Sequence, residues 1–114
     1  MSTSPIAQIA DAIQEALAGA PDLCATFTLS DRPDCWVQFV GGVANAVYPG
    51  TAEPAALLAR LGSGTLQGWK AKEYLTVALA LEDAQGIAQW IDRYFTEVLQ
   101  ASEEYALDVS VESL

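Results

Sequence analysis

Apolar residues recur along this chain with two periods, and each switch between them marks an element. From Pro5 the spacing is helical. Ile6, Ile9, Ala10, Ile13, Ala16 and Leu17 share one side, while Gln8, Asp11, Gln14 and Glu15 take the other. Ser4 suits the cap and Pro5 the first turn; Gly19 and Pro21 are the stop. At Leu23 the period becomes two. Leu23, Ala25, Phe27 and Leu29 alternate with Cys24, Thr26, Thr28 and Ser30, which predicts a strand. "DRPD", Asp31 to Asp34, reads as the turn after it, because Pro33 cannot donate to a ladder and Asp suits turn corners. A second strand, Cys35 to Val40, and a third, Val43 to Tyr48, flank Gly41-Gly42. This two-residue hairpin turn needs positive φ at both positions.

The second half repeats the alternation of periods. Thr51 and Pro54 open a short helix striped by Leu57, Leu58 and Leu61 and closed by Gly62. Gly62 to Trp69, "GSGTLQGW", is rich in glycine and reads as a loop or a poor edge strand. A strand from Tyr74 to Leu81 carries Leu75, Val77, Leu79 and Leu81 on one face. Asp83 caps a long helix, about Ala84 to Ser102, with Ile87, Ile91, Phe95, Val98 and Leu99 as its stripe and Trp90 and Tyr94 widening it. The tail alternates Leu107, Val109 and Val111 and is either a final strand or a frayed end. The order α-β-β-β-α-β-β-α predicts an α+β fold, with an antiparallel sheet of about five strands and helices packed on one face.

The glycine turn sets the register. Val40 faces Val43, Phe39 faces Ala44, Gln38 faces Asn45, Val37 faces Ala46 and Trp36 faces Val47. Cys35, Val37, Phe39, Ala44, Ala46 and Tyr48 form the better core face. Trp36, Gln38, Val40, Val43, Asn45 and Val47 form a mixed but still apolar one. Two readings of this second face stand: Trp36 is covered by its own chain, or the face meets another subunit or a bound chain. If Leu29 pairs with Cys35, Cys24 points away from Cys35, so no disulfide joins them and both are buried thiols.

Composition narrows the function. The chain has 114 residues, which predicts one domain, 1–114, with a core of its own. Fifteen acids against five bases and no histidine give a formal charge of −10. Such a field repels nucleic acid and anionic membranes and favours basic or amphipathic protein partners. Without histidine there is no Ser-His-Asp triad, no Cys-His pair and no histidine-based metal site, and two cysteines cannot complete a zinc site. "GSGTLQG" lacks the GKS or GKT of a phosphate loop. The acid pairs Asp31/Asp34, Glu82/Asp83 and Glu103/Glu104 lack calcium-loop spacing and read as caps and surface charge. Trp90 and Tyr94, four apart, read as a packed aromatic pair. No catalytic, cofactor or metal site is expected. No signal-peptide pattern opens the chain and no apolar run reaches the roughly 18 residues of a membrane helix, so the cytoplasm is the expected compartment.

"WVQF", Trp36 to Phe39, a following helix, and then "LQGW" and "EYLTVALAL" resemble the local texture of the YbjN-type, or TY-Chap, domains. The element order, over roughly Pro5 to Ser102, is similar to these and to the small acidic chaperones of bacterial type III secretion. The resemblance implies a non-enzymatic, chaperone-like binding role. It also implies homodimers that hold an extended partner segment against helix one and the sheet. The expected partner contacts are Trp36, Val40, Val43 and Val47, with Leu57, Leu61 and Trp69 near a dimer or ligand edge. The rival expectation is an immunity or antitoxin-like inhibitor whose acids mask a basic toxin.

Overall fold

The glycine hairpin is the seed of the sheet in the computed structural model, which describes residues 5–19, 23–62, 64–79, 83–102 and 105–113. Gly41 and Gly42 have φ of 58° and 79°, the mirror-image turn whose twist matches that of the flanking strands. The turn joins β2 (Arg32–Val40) to β3 (Val43–Val47), and the pairs run from Val40↔Val43 to Val37↔Ala46, as the sequence implies. On one side of this hairpin β1 (Leu23–Leu29) pairs with β2, and β6 (Leu107–Ser113) pairs with β1 along its whole length. On the other, β5 (Tyr74–Ala78) pairs with β3, and β4 (Thr65–Lys70) closes the edge. The sheet is antiparallel throughout, in the order β4-β5-β3-β2-β1-β6.

Three helices pack on one side of it: α1 (Pro5–Ala18), α2 (Ala55–Leu61) and α3 (Ala84–Arg93). The fold is therefore α+β, with six strands where about five were expected. The sixth is the tail, whose alternating Leu107, Val109 and Val111 pair opposite Leu29, Phe27 and Ala25. The core lies between the sheet and the helices. Ala25, Phe27, Val37, Phe39, Ala44, Ala46, Leu75 and Val77 rise from the strands to meet Ile9 and Ile13 of α1 and Ile87 and Ile91 of α3. Small alanines on β3 let the helices approach closely, so Ile87 and Ala88 are fully buried.

Four local expectations are corrected. The turn after β1 is Ser30-Asp31, and Arg32, Pro33 and Asp34 already belong to β2. Leu29 pairs with Arg32, not Cys35, because the register shifts between Thr28 and Leu29. Pro33 is tolerated at this irregularity, where the ladder makes no use of its missing N–H. Thr51 does not cap α2, which begins after Pro54 with no side-chain cap. The long helix also changes character: α3 ends at Arg93 and continues as a π-helical segment, Tyr94–Val98. Leu99 N–H there donates to the Tyr94 carbonyl at 3.1 Å, five residues back. Gln100, at φ 58°, ends the run. The cap expected for this helix is present, since Asp83 Oδ1 accepts from Gly86 N–H at 2.9 Å. Ser4, Pro21, Leu81, Glu82 and the Glu103/Glu104 pair lie outside the described residues.

Candidate partner-binding surfaces

All three described helices cover the same side of the sheet, so among the described residues its other side carries no helix. The alternation that buries Val37 and Phe39 turns Trp36, Gln38 and Val40 outward, and the hairpin adds Val43, Asn45 and Val47. Each of these six is half-buried. Thr26 and Thr28 of β1, and Tyr74, Thr76 and Ala78 of β5, extend the face on either side. Asn45 Oδ1 accepts from Thr76 Oγ1 at 2.7 Å, which fixes the amide's orientation on this surface. No charged side chain stands on the open face across β1, β3, β5 and the Trp36–Val40 part of β2. In a chain with 20 charged residues among 114, that is an unusual surface to leave open.

The seven residues singled out from the sequence do not form one patch. Trp36, Val40, Val43 and Val47 share the open face. Leu61 is only 4 % exposed and belongs to the core, so it is not a surface contact. Leu57 is half-buried against that core. Trp69 pairs with Leu75 on the helix side of β4 and meets Tyr48 edge-on, with ring centroids 6.1 Å apart. Packing divides these residues between two sides of the sheet.

A second surface was not foreseen. Gln8, Asp11, Ala12 and Glu15 of α1 face Leu107, Val109 and Val111 of β6 across a groove of about 470 Å³. Val109 is 41 % exposed there, one of three large apolar side chains so open among the described residues. The groove has an apolar floor and a carboxylate rim, and β6 beside it is a sheet edge. The signal was in the sequence as Asp11 and Glu15, one turn apart. It had no meaning until the tail became the strand opposite them.

The titratable groups of the interior are structural. Tyr94, stacked on Trp90 at 5.6 Å, donates to the Val47 carbonyl, and burial raises its pKa well above the usual tyrosine range. Tyr105 donates to Asp92 Oδ1 at 2.6 Å and is raised in the same way, first by burial and then by that carboxylate. Cys24 and Cys35 are free thiols; Cys35 packs against the core and its pKa is raised by burial and by Asp34. Among the described residues no three His, Cys, Asp or Glu side chains gather where they could hold a metal ion. No described helix is long and apolar enough to cross a membrane.

No family model, curated protein or solved structure matches this chain. The likeness to type III secretion chaperones and YbjN-type domains therefore stands on element order and short apolar patterns alone.

Proposed function

We propose that this chain is a non-enzymatic, chaperone-like protein-binding module that holds an extended segment of a partner polypeptide against helix one and the edge of the sheet. One observation carries the reading: β6, an edge strand that no described strand covers, runs beside a groove with an apolar floor and an acidic rim. An extended segment laid along β6 pairs its backbone with the open edge and sends alternate side chains to one side. Apolar ones meet Val109 and Val111; basic ones meet Asp11 and Glu15. The charge of −10 speeds the encounter with such a segment. That same charge favours a second reading, an immunity or antitoxin-like inhibitor that masks a basic folded toxin.

A synthetic peptide that carries valine and lysine in turn at every second position, with threonine between them, sends both to the groove side of the strand and tests the first reading by calorimetric titration. Binding is expected, weakened about tenfold or more by the Asp11→Lys/Glu15→Lys variant. A peptide of the same charge, N-methylated on alternate backbone nitrogens, should bind far more weakly, because strand pairing is blocked. Equal binding of the two peptides, or indifference to the Asp11 and Glu15 reversals, would sink the reading. Tight binding only to a folded basic protein would favour the inhibitor.

A further inference from the structure

The β1–β2 turn and the chain between the π-helical segment and β6 close on a cavity of about 260 Å³. Gln100, at φ 58°, ends the helical run, and Ala101 N–H is tied back to the Phe95 carbonyl at 2.9 Å. Tyr105 anchors the chain further on: it is buried, packs its ring against Phe95 and donates to Asp92. Ser30 N–H donates to the Ala106 carbonyl at 3.0 Å, which holds the turn against this segment. Leu29, Ala101 and Ala106 give the cavity an apolar lining, Ser102 adds a hydroxyl, and Asp31 and Arg32 bring one charge of each sign. Arg32 pairs with the buried Leu29 and so shares its side of the sheet, the helix side.

Arg32 stands apart from the other basic side chains. Arg60 and Arg93 share Glu97, and Lys70 is held by Glu73. Among the described residues the Arg32 guanidinium makes no ion pair or hydrogen bond, and neither does the Asp31 carboxylate. Lys72 also lacks an ion pair among them, but it is exposed, whereas Arg32 is half-buried beside the cavity. Both charges act on the Cys35 thiol, Arg32 lowering its pKa and Asp31 raising it, so they gather around one place. A planar guanidinium with free donors grips a carboxylate through two parallel hydrogen bonds. A free carboxylate beside it accepts from an ammonium. A net anion would meet the field of a chain charged −10, and a net cation would make no use of Arg32. A ligand that carries both charges and is neutral overall answers both side chains. The cavity is smaller than the roughly 300–1,000 Å³ of pockets for drug-sized ligands, so its occupant is smaller too.

We propose that this cavity binds a free α-amino acid with a short apolar side chain, its carboxylate on Arg32 and its ammonium on Asp31. The ligand's side chain rests against Ala101 and Ala106, and Leu29 closes the floor. A polypeptide segment does not replace such a ligand. Within a chain a residue carries neither charge, and at a terminus it carries only one. The cavity shares no lining residue with the α1–β6 groove, so this inference is independent of the peptide reading.

Titration of the full chain with L-valine, followed by backbone amide chemical shifts, tests it. Two probes close to it in shape serve as comparisons: N-acetyl-L-valine, which lacks the ammonium, and L-valinamide, which lacks the carboxylate. Saturable shifts at Ser30, Asp31 and Ser102 are expected. L-valine should bind at least about tenfold more tightly than either probe, because each probe loses a charge-assisted hydrogen bond. Arg32→Gln should erase the preference for L-valine over L-valinamide and keep the preference over N-acetyl-L-valine; Asp31→Asn should do the reverse. Neither side chain has a partner among the described residues, so amide shifts away from the cavity should stay unchanged in both variants. Absence of a saturable shift by roughly 10 mM L-valine, equal affinity for the three ligands, or preferences that survive both substitutions would each overturn the proposal.

Discussion

The buried hydroxyl of Tyr94 donates a hydrogen bond to the backbone carbonyl of Val47 at 2.7 Å, joining the π-helical segment to the end of β3. Tyr94 is fully buried and stacks on Trp90. Widening the helix by one residue per turn at this place is a local distortion. Here it coincides with the point where the helix layer reaches through the core to the sheet backbone. Tyr94→Phe keeps the ring and removes the donor, leaving the Val47 carbonyl short of a partner. A loss of about 1–2 kcal/mol is expected, seen as a lower urea midpoint with an unchanged slope.

Alkali should expose the two buried tyrosines. Burial raises the pKa of both Tyr94 and Tyr105. A raised pKa means that the folded state favours the protonated phenol. The stability it supports is therefore complete below the ordinary tyrosine value of about 10 and is lost as pH rises above it. Denaturation midpoints should fall above about pH 10. In a Tyr94→Phe/Tyr105→Phe variant the neutral plateau is lower but the alkaline limb is flatter.

Glu97 acts at the other end of the scale. It accepts from Arg93 Nε at 2.9 Å and meets Arg60 at 3.4 Å, while Arg93 also donates to the Arg60 carbonyl at 2.7 Å. The Arg93 hydrogen bond leads the interactions that depress its pKa. Its contribution is present above the ordinary glutamate value of about 4.3 and fades as pH falls through the depressed one. The stability difference between the wild type and Glu97→Gln should thus be measurable at neutral pH and vanish in acid. Paired denaturation curves across that range check it.

The hairpin tolerates only certain residues at its tip. Nothing lies within 4 Å of where a Cβ would sit on Gly41 or Gly42, so crowding is not the constraint. Positive φ is. Gly42→Ala should cost about 1 kcal/mol or somewhat more, whereas Gly41→Asn should cost clearly less, because Asn-Gly suits the same turn. Thermal melts of the two variants give the ordering.

Removing β6 should convert the chain into an aggregating species. A chain ending at Ala106 leaves β1 as a seven-residue edge with no partner from Leu23 to Leu29. An unpaired apolar edge recruits other strands. Light scattering should rise with concentration for this truncation and stay flat for the full chain at the same concentrations, and the α1–β6 groove should disappear with its wall.

Much of the sheet was legible because its rules are local. Gly41-Gly42 set the turn, the turn set the register, and alternation then assigned each side chain of Cys35 to Val40 and Val43 to Val47 to a face. Legibility failed where a non-local partner decides. "DRPD" has turn composition, but pairing with β1 draws Arg32 into β2 and leaves Pro33 at an irregularity. The π-helical segment left no mark in the helical stripe, since Tyr94, Phe95 and Val98 remain apolar in either winding. Leu61, expected near a dimer or ligand edge, is packed inward by α2.

The candidate sites divide in the same way. Trp36, Val40, Val43 and Val47 could be placed on one face from sequence, because strand alternation needs no knowledge of the rest of the chain. That this face lacks a helix depends on all three helices choosing the opposite side, a choice made by the combined burial of Phe27, Phe39, Ile9, Ile87 and their neighbours. The pairing of Asp11 and Glu15 with Val109 depends on the chain's two ends meeting. The sequence by itself determined periods, turns and faces, since these follow from steric limits on a few adjacent residues. Only the tertiary structure decided which faces stay open and which distant charges share a rim, because that is settled by packing the whole core at once.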